Sequence, residues 1–283
     1  MKLQFWGTAA AEGIPGIFCG CEICNKARAE GGRFVRARSQ TMIDGDLLID
    51  FGPDTYSNSV KYGYDLSKLG NLLVTHSHMD HLYAYELFNR QPGYCHNTRC
   101  EALNIYGSGG VRKALFADTQ NKVQSLFDSG KIAFHTLEEY VPATIGEYTV
   151  IPVPANHGTE QPFVYIIEKH GKCIFYMTDS NRFTDEINER IASLGKKFDV
   201  VVYDCTFGTA DTVAAGTAPG HMAIPVINIV RNQFRQLGLY KPGAIEIIDH
   251  FSHNGENVSY DALEPLAEKE GLITAYDGLV IEF

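Results

Sequence analysis

Basic residues are scarce in this 283-residue chain: 24 Lys and Arg stand against 34 Asp and Glu, a net charge of −10. That balance argues against a surface for nucleic acid or anionic membrane, since both need basic patches. It leaves room for a small anionic substrate wherever a local metal cluster reverses the field. Long apolar runs are missing too; none approaches the ~18 residues of a membrane span. The first six residues run into Gly7-Thr8 with no apolar h-region and no cleavage pattern, so a secretory signal is not expected and a cytoplasmic location is. There is no short repeat, low-complexity tract, charge block or Pro/Ser/Gly linker, which predicts one domain over residues 1–283. A hydrophobic share of 45% excludes disorder as the leading class.

Strand-like runs occupy residues 3–5, 47–50, 71–75, 103–106, 131–134, 148–153, 163–168, 173–178, 199–204, 244–249 and 273–283. Asp44-Gly45 and Asp277-Gly278 lie between apolar runs, and each predicts a hairpin, because both residues of a tight turn tolerate positive φ. Helical patterns are plainest at 183–194, 223–237 and 259–270. Thr184 is placed to cap the first, and Gly238 and Gly271 follow the other two as C′ glycines. Strands cluster on both sides of the middle with helices between or after them, an order that suits an α/β sandwich of two packed mixed sheets flanked by helices.

The strongest signal is Thr75-His76-Ser77-His78-Met79-Asp80-His81, directly after an apolar strand. Ten histidines in the whole chain make three in six positions improbable as a chance polar loop. Residues two apart on an extended segment share a side, so His76 and His78 converge. Asp80 and His81 lie past the turn and can aim at a neighbouring ion. Two ions ~3.5–4 Å apart form the usual clamp for hydrolytic displacement. A binuclear site needs further ligands, and His157, Asp179 and His250 stand where strands give way to loops, where rigid scaffolds place functional groups. Asp179 suits a bridging carboxylate because its two oxygens can serve two ions.

Cysteine is odd in number, seven, and three of the seven crowd into Cys19-Gly20-Cys21-Glu22-Ile23-Cys24. The C-x-C-x₂-C spacing is too tight for mutual disulfides and one thiolate short of a closed structural zinc set. Cys95, His96, Cys100, Cys205, His221 and His253 are all conceivable as the fourth ligand on the sequence alone. Cys95, His96 and Cys100 match no recognised ligand set among themselves and read as an ordinary loop.

These residues carry a resemblance. The Gly7-Thr8 loop, Leu48-Ile49-Asp50-Phe51-Gly52, the His-x-His-x-Asp-His core, the isolated His157, Thr178-Asp179-Ser180 and the late His250 resemble the metallo-β-lactamase superfamily in order over nearly the whole length. The resemblance implies an αββα sandwich with the metals at one edge. It implies a first metal held by His76, His78 and His157 and a second by Asp80, His81 and His250, with Asp179 bridging and Asp50 orienting ligands. Glu12-Gly13-Ile14-Pro15, the three cysteines, Asp204-Cys205, Gly220-His221 and His250-Phe251-Ser252-His253 are similar to the phosphoribosyl 1,2-cyclic phosphate phosphodiesterase (PhnP) branch. That likeness implies a structural zinc on Cys19, Cys21, Cys24 and His253. Residues 82–103 and 113–130 look longer than the corresponding stretches of that branch, and substrate choice is expected to lie in such segments.

The expected enzyme is a metal-dependent phosphoric diester hydrolase acting on a small, open-chain or cyclic phosphodiester through a hydroxide bridging two divalent ions, zinc or manganese. Two divalent ions less Asp80, Asp179 and the hydroxide leave about one net positive charge, which attracts a monoanion. Asp80 and His221 are the catalytic candidates. His221, in the loop 217–220 region before a helix, has a suitable unperturbed pKa of ~6.5 for a general acid. Other hydrolases on the same metals, such as a lactonase or thioesterase, stay open, as does a non-catalytic ligand-binding protein. An RNase Z-like nuclease is disfavoured by the net charge. No nucleic-acid or membrane partner is expected, and a homodimer is admissible.

Overall fold

Residues 1–211 and 220–283 are described by the computed structural model. Strands β1 (Lys2–Gly7), β2 (Gln40–Ile43), β3 (Leu47–Ile49), β4 (Asn71–Leu73), β5 (Leu103–Gly107) and β6 (Ile132–Thr136) form one sheet, with a late strand paired outside β1. The second sheet holds β7 (Ala143–Ile145), β8 (Tyr148–Pro154), β9 (Phe163–Lys169), β10 (Lys172–Met177), β11 (Phe198–Asp204), β12 (Tyr240–Asp249) and β13 (Ile273–Thr274), in chain order across the sheet. The late strand of the first sheet is β14 (Val280–Glu282).

The strand period of two sorts the side chains. Ile43, Leu47, Ile49 and Leu73 turn into the core between the sheets, on the side that Val150, Ile167 and Val202 face from the second sheet. Met42, Leu48, Leu72 and Val74 turn outward into a second cluster. That outer cluster is roofed by α3 (Gly109–Asp118) through Val111 and Leu115 and by the short α4 (Gln124–Asp128) through Leu126. The second sheet is covered by α5 (Asp185–Ser193), α6 (Ile224–Gln236) and α7 (Tyr260–Lys269), close to the three expected helices. Thr184 caps α5, and Gly238 and Gly271 take positive φ after the other two. The helices α1 (Glu22–Glu30) and α2 (Thr55–Lys61), like α3 and α4, have no expected counterpart.

One of the two Asp-Gly expectations holds. Asp44 and Gly45, both at positive φ, turn β2 into antiparallel β3. Asp277-Gly278 does not make a hairpin, and residues 273–283 are not one strand. β13 pairs in the second sheet and β14 in the first. The reason is that the Asp277 carboxylate is buried, accepting from Thr8 Oγ1 at 2.9 Å and the Ala37 amide at 2.7 Å, so it stitches the crossover to the first sheet.

Within their sheets β3 and β4 run parallel, and so do β10, β11 and β12. Parallel strands bring their C-terminal ends to one edge, and the chain's acidic and imidazole groups emerge there.

Candidate metal centre

The residue after β3, Asp50, takes left-handed φ of 67°, a conformation that Asp and His tolerate better than most side chains. Its fully buried carboxylate accepts from the Thr75 amide at 2.8 Å, Thr75 Oγ1 at 3.0 Å and His81 Nδ1 at 2.7 Å. Since a carboxylate only accepts, the His81 proton is on Nδ1, and Nε2 faces the opposite way. The loop 76–82 closes on itself through His81 N to His78 O and is laced to the strand end by Phe51 N to His81 O and Tyr83 N to Phe51 O. Gly52 lies under this loop so closely that a Cβ would stand 2.0 Å from the Asp80 carbonyl oxygen.

Two further strand ends repeat the device. Asp179 follows β10 at φ 63°, and His250 follows β12 at φ 64°. Asp179 Oδ2 lies 3.3 Å from His76 Nε2, 2.7 Å from His81 Nε2 and 3.3 Å from His250 Nε2. Asp80 Oδ2 lies 3.1 Å from His81 Nε2. His78 Nδ1 stands 3.0 Å from His76 Nε2 and 3.1 Å from His157 Nε2. Gly220, at φ 88°, lets its backbone reach His157, whose Nδ1 is 3.2 Å from the Gly220 carbonyl.

Two groups of possible ligand atoms result, His76, His78, His157 and Asp179, and Asp80, His81, Asp179 and His250, each within a 4.8 Å sphere of mutual distance. Both fit a divalent ion on their chemistry. His81 Nε2, Asp179 Oδ1 and His250 Nε2 are buried and make no hydrogen bond of acceptable geometry, a situation that proteins rarely tolerate without a partner. Charge is balanced in the way a cation would balance it. Burial opposes a charge on His81, yet Asp80, Asp50 and Asp179 raise its pKa well above the ordinary imidazole value. Burial likewise opposes a charge on His250, which Asp179 and Asp204 raise to about 9. Burial would lift the Asp179 carboxyl, but His250, His76 and His81 hold it well below the usual range. His76, by contrast, is driven toward the neutral form, first by burial and then by the charge on His81. Ligand sets of this kind exchange such protons for metal.

His221 joins the same edge, while residues 217–219 of the loop expected to carry it lie outside the described residues. Its Nδ1 is 2.9 Å from Asp204 Oδ2 and 3.1 Å from Asp179 Oδ1. Asp204, fully buried at the end of β11, also accepts from the Met222 amide and from Thr206, whose hydroxyl sits 2.8 Å from His250 Nδ1. Asp179, Asp204, His221 and His250 form a third group of possible ligand atoms. Sequence reasoning did not select Asp204 or Thr206 as site residues. The available signal was position: Asp204 ends its strand in register with Asp249, one residue before His250.

A cavity of about 260 Å³ opens over these groups, lined also by Ala10, Ala11, Glu12, Phe207, Ser252 and Asn254. Sequence reasoning did not single out any of these as site-lining. None of the lining comes from residues 82–103 or 113–130, contrary to the expectation that substrate choice lies there. The first of those segments instead walls, through Leu87 and Tyr94, a separate, mainly apolar cavity of about 390 Å³ with Phe51 and Leu66. Cys95 and Cys100 point their thiols at backbone carbonyls, and among the described residues they belong to no ligand-like group.

The thiol cluster gathers separately. His253 Nδ1 lies 3.6 Å from both Cys19 Sγ and Cys21 Sγ, and with Cys24 these atoms form one group. Cys21 is the N-cap of α1, its sulfur accepting from Cys24 N. Burial raises both thiols, but the Cys24 amide and neighbouring groups bring Cys21 down to about 7, whereas Cys24, fully buried, is pushed up to about 11. A lowered thiol at a helix N-terminus suits a metal ligand. Of the possible fourth partners, His253 is the one that the fold brings here.

A family model described as a beta-lactamase superfamily domain matches residues 46–237. Coenzyme PQQ synthesis protein B of Methylobacterium radiotolerans is 27% identical over 235 residues, 73% of each chain. Among solved structures, Zn(2+)-bound PqqB from Methylobacterium extorquens superposes with a TM-score of 0.76 at 20% identity, covering 100% of both chains. A diphosphatase from the PhnP family gives 0.73 at 20% identity, over 100% of this chain and 97% of that one. Human tRNase Z, short form, gives 0.66 at 16% identity over 100% and 99%. At these identities the solved structures establish the αββα fold, not the reaction.

Proposed function

Since the chain belongs to the beta-lactamase superfamily, a group that includes metal-dependent hydrolases, we propose that it is a binuclear phosphodiesterase acting on a small, open-chain or cyclic phosphodiester. The observation that carries the binuclear reading is Asp179, one carboxylate within 3.3 Å of imidazole nitrogens from both ligand groups. His76, His78 and His157 would hold one ion, Asp80, His81 and His250 the other, with Asp179 shared. Cys19, Cys21, Cys24 and His253 would hold a structural zinc. Zinc or manganese, when bound, supplies Lewis acidity and a nucleophile at neutral pH.

The chain's own groups do the rest. Asp50 fixes the His81 ring, and Thr206 borders both His250 and His221. Asp204 holds His221 by Nδ1, so Nε2 is the nitrogen left to give a proton to the leaving oxygen. Asp80 serves as ligand and shapes the floor of the cavity.

A second reading is favoured by the 27% identity to coenzyme PQQ synthesis protein B: a step in the making of a small cofactor, with no phosphodiester involved. A panel of phosphodiesters, cyclic nucleotides, lactones and thioesters, assayed with zinc and with manganese, tests the proposal. Turnover of the phosphodiesters supports it. Efficient lactone or thioester hydrolysis without phosphodiesterase activity overturns it, and silence on the whole panel favours the second reading.

A further inference from the structure

Among the described residues, the lining of the cavity over the candidate metal centre includes no Lys or Arg. Its described lining offers histidines, Thr206, Phe207, Ser252, Asn254 and two alanines, and the one charged side chain outside the ligand groups is the carboxylate of Glu12. Residues 212–219, which are not described, read Thr-Val-Ala-Ala-Gly-Thr-Ala-Pro, so they bring no cation either. Glu12 is held in place: its Oε1 accepts from Ser252 Oγ and from Asn254 Nδ2 at 3.2 Å, and lies 3.6 Å from His253 Nε2. Those contacts all fall on one oxygen, Oε1, of a residue that lines the cavity.

Glu12 also borders a second cleft, which does contain Arg36, Arg38 and Lys61. Those cations are spoken for. Arg38 is forked onto Asp54 at 3.0 and 3.1 Å, and Lys61 lies 3.7 Å from Asp277. Arg36 is buried with its Nη1 on Thr8 and the Ala275 carbonyl. With Glu12, Asp54 and Asp277 against them, the cleft has no surplus positive charge.

Resting on the phosphodiesterase reading above, we propose that Glu12 is a specificity-determining residue that restricts the substrate to one whose reacting phosphodiester is its only anionic group, and whose remainder offers hydroxyl or ammonium donors. A second phosphate would bring about −1.5 to −2 further charges against Glu12, and among the described residues the nearest cation, Arg38, whose Nε donates to the Ala11 carbonyl at 2.7 Å, is already paired with Asp54. Differential binding of this sort works largely by repelling the wrong ligand.

The matched probes are ribose 1,2-cyclic phosphate with a free 5-hydroxyl and its 5-phosphate ester. Wild type is expected to prefer the free hydroxyl at least tenfold in kcat/KM. Glu12→Gln, which keeps the acceptor oxygen for Ser252, should shrink that ratio severalfold, and Glu12→Lys should bring it to one or reverse it. Zinc content and far-UV spectra are read for each variant, and the ratio itself is insensitive to the fraction of active protein. Preference of wild type for the 5-phosphate ester overturns the inference, and its loss in Arg38→Ala would assign the neighbouring cleft as a phosphate subsite instead. An unchanged ratio in Glu12→Gln also overturns it. If neither ester is cleaved, the phosphodiesterase reading fails, and the ratio of the two dissociation constants by calorimetry still decides the charge selectivity.

Discussion

Replacing Gly52 by Ala probes how closely the metal loop depends on backbone contact. A Cβ at this position would stand 2.0 Å from the Asp80 carbonyl oxygen and 3.0 Å from its carbon, where ordinary contact begins at 3.4 Å. The obstacle is main chain, so no side chain can swing aside, and the loop must retreat by more than about 1 Å. Phe51 N on His81 O and Tyr83 N on Phe51 O bind both edges of that retreat, so the strain passes into Asp80 and His81 together. Overpacking of this kind costs about 1–3 kcal/mol of stability. A misplacement near 1 Å at a reacting centre costs about 10²-fold in rate. We expect Gly52→Ala to fold with a lowered Tm, to lose about two orders of magnitude in kcat/KM on whichever substrate the panel identifies, and to retain less metal at the Asp80 group while keeping the thiolate zinc. Gly70→Ala is the control, since its Cβ would meet nothing nearer than Cys100 Sγ at 3.4 Å. A Gly52→Ala protein with turnover within threefold of wild type and full metal content would refute the reasoning.

Cys21→Ser should release one zinc per chain and lower Tm, because metal binding at such a site contributes to folding free energy; normal zinc and normal melting would mean that the cluster holds no metal. Glu246, on β12, takes Arg231 at 2.8 and 2.9 Å and two tyrosine hydroxyls. Burial works against its charge, but Arg231 and the hydroxyls hold its pKa below 4.5. Its stabilising contribution is therefore complete above the unfolded value and is lost as pH falls through the lower folded value; Glu246→Gln should cost about 2–3 kcal/mol in urea melts at pH 7 and progressively less as the pH is lowered, and a cost that does not change with pH would remove the charge from the account. His221→Ala should lose most on a substrate with a poor alkoxide leaving group and far less on a p-nitrophenyl ester, whose leaving group needs no proton; equal losses would leave His221 as a binding residue or a ligand.

What the sequence made readable follows from contiguity. His76, His78, Asp80 and His81 are adjacent and stand out against ten histidines in the chain, so the centre of the site was legible before any geometry. Asp179 and His250 were legible because each ends an apolar run. Asp204 ends a run just as plainly and figured in the Asp204-Cys205 likeness, but it received no role at the site because its partners His221 and Thr206 meet it only in three dimensions. Glu12 and Asn254 are 242 residues apart, and no local pattern can pair them. Misreadings came where local chemistry competed with burial. Asp277-Gly278 has the composition of a hairpin, yet its carboxylate goes inward to Thr8 and Ala37. The helix α1 escaped notice because its cap is a cysteine, a residue whose sequence signal is metal or disulfide rather than helix start.

The two groups of ligand-like side chains are better regarded as one mechanical unit. Phe251, between His250 and Ser252, donates its amide to Thr8 O, and its carbonyl accepts from Ala10 N. The chain that leaves Ala10 reaches Glu12 two residues later and Cys19 nine residues later, and Glu12 returns to Ser252, His253 and Asn254. A metal on Cys19, Cys21, Cys24 and His253 would therefore fasten both strands of this pairing within three residues of His250. That matters because His250 sits in a left-handed conformation, which for a side chain other than glycine costs about 1 kcal/mol or more and persists only when its surroundings over-determine it. Asp50 achieves the same constraint by three hydrogen bonds, and Asp179 by its place between β10 and the histidines. His250 has Thr206 on Nδ1 and the paired loop behind it. The thiolate cluster thus supplies from outside the sheet what the other two strand ends obtain from within it. Loss of a metal held there should reach the proposed metal centre through His250 before it reaches His76 or His78, whose loop is held by contacts around Asp50 and Phe51.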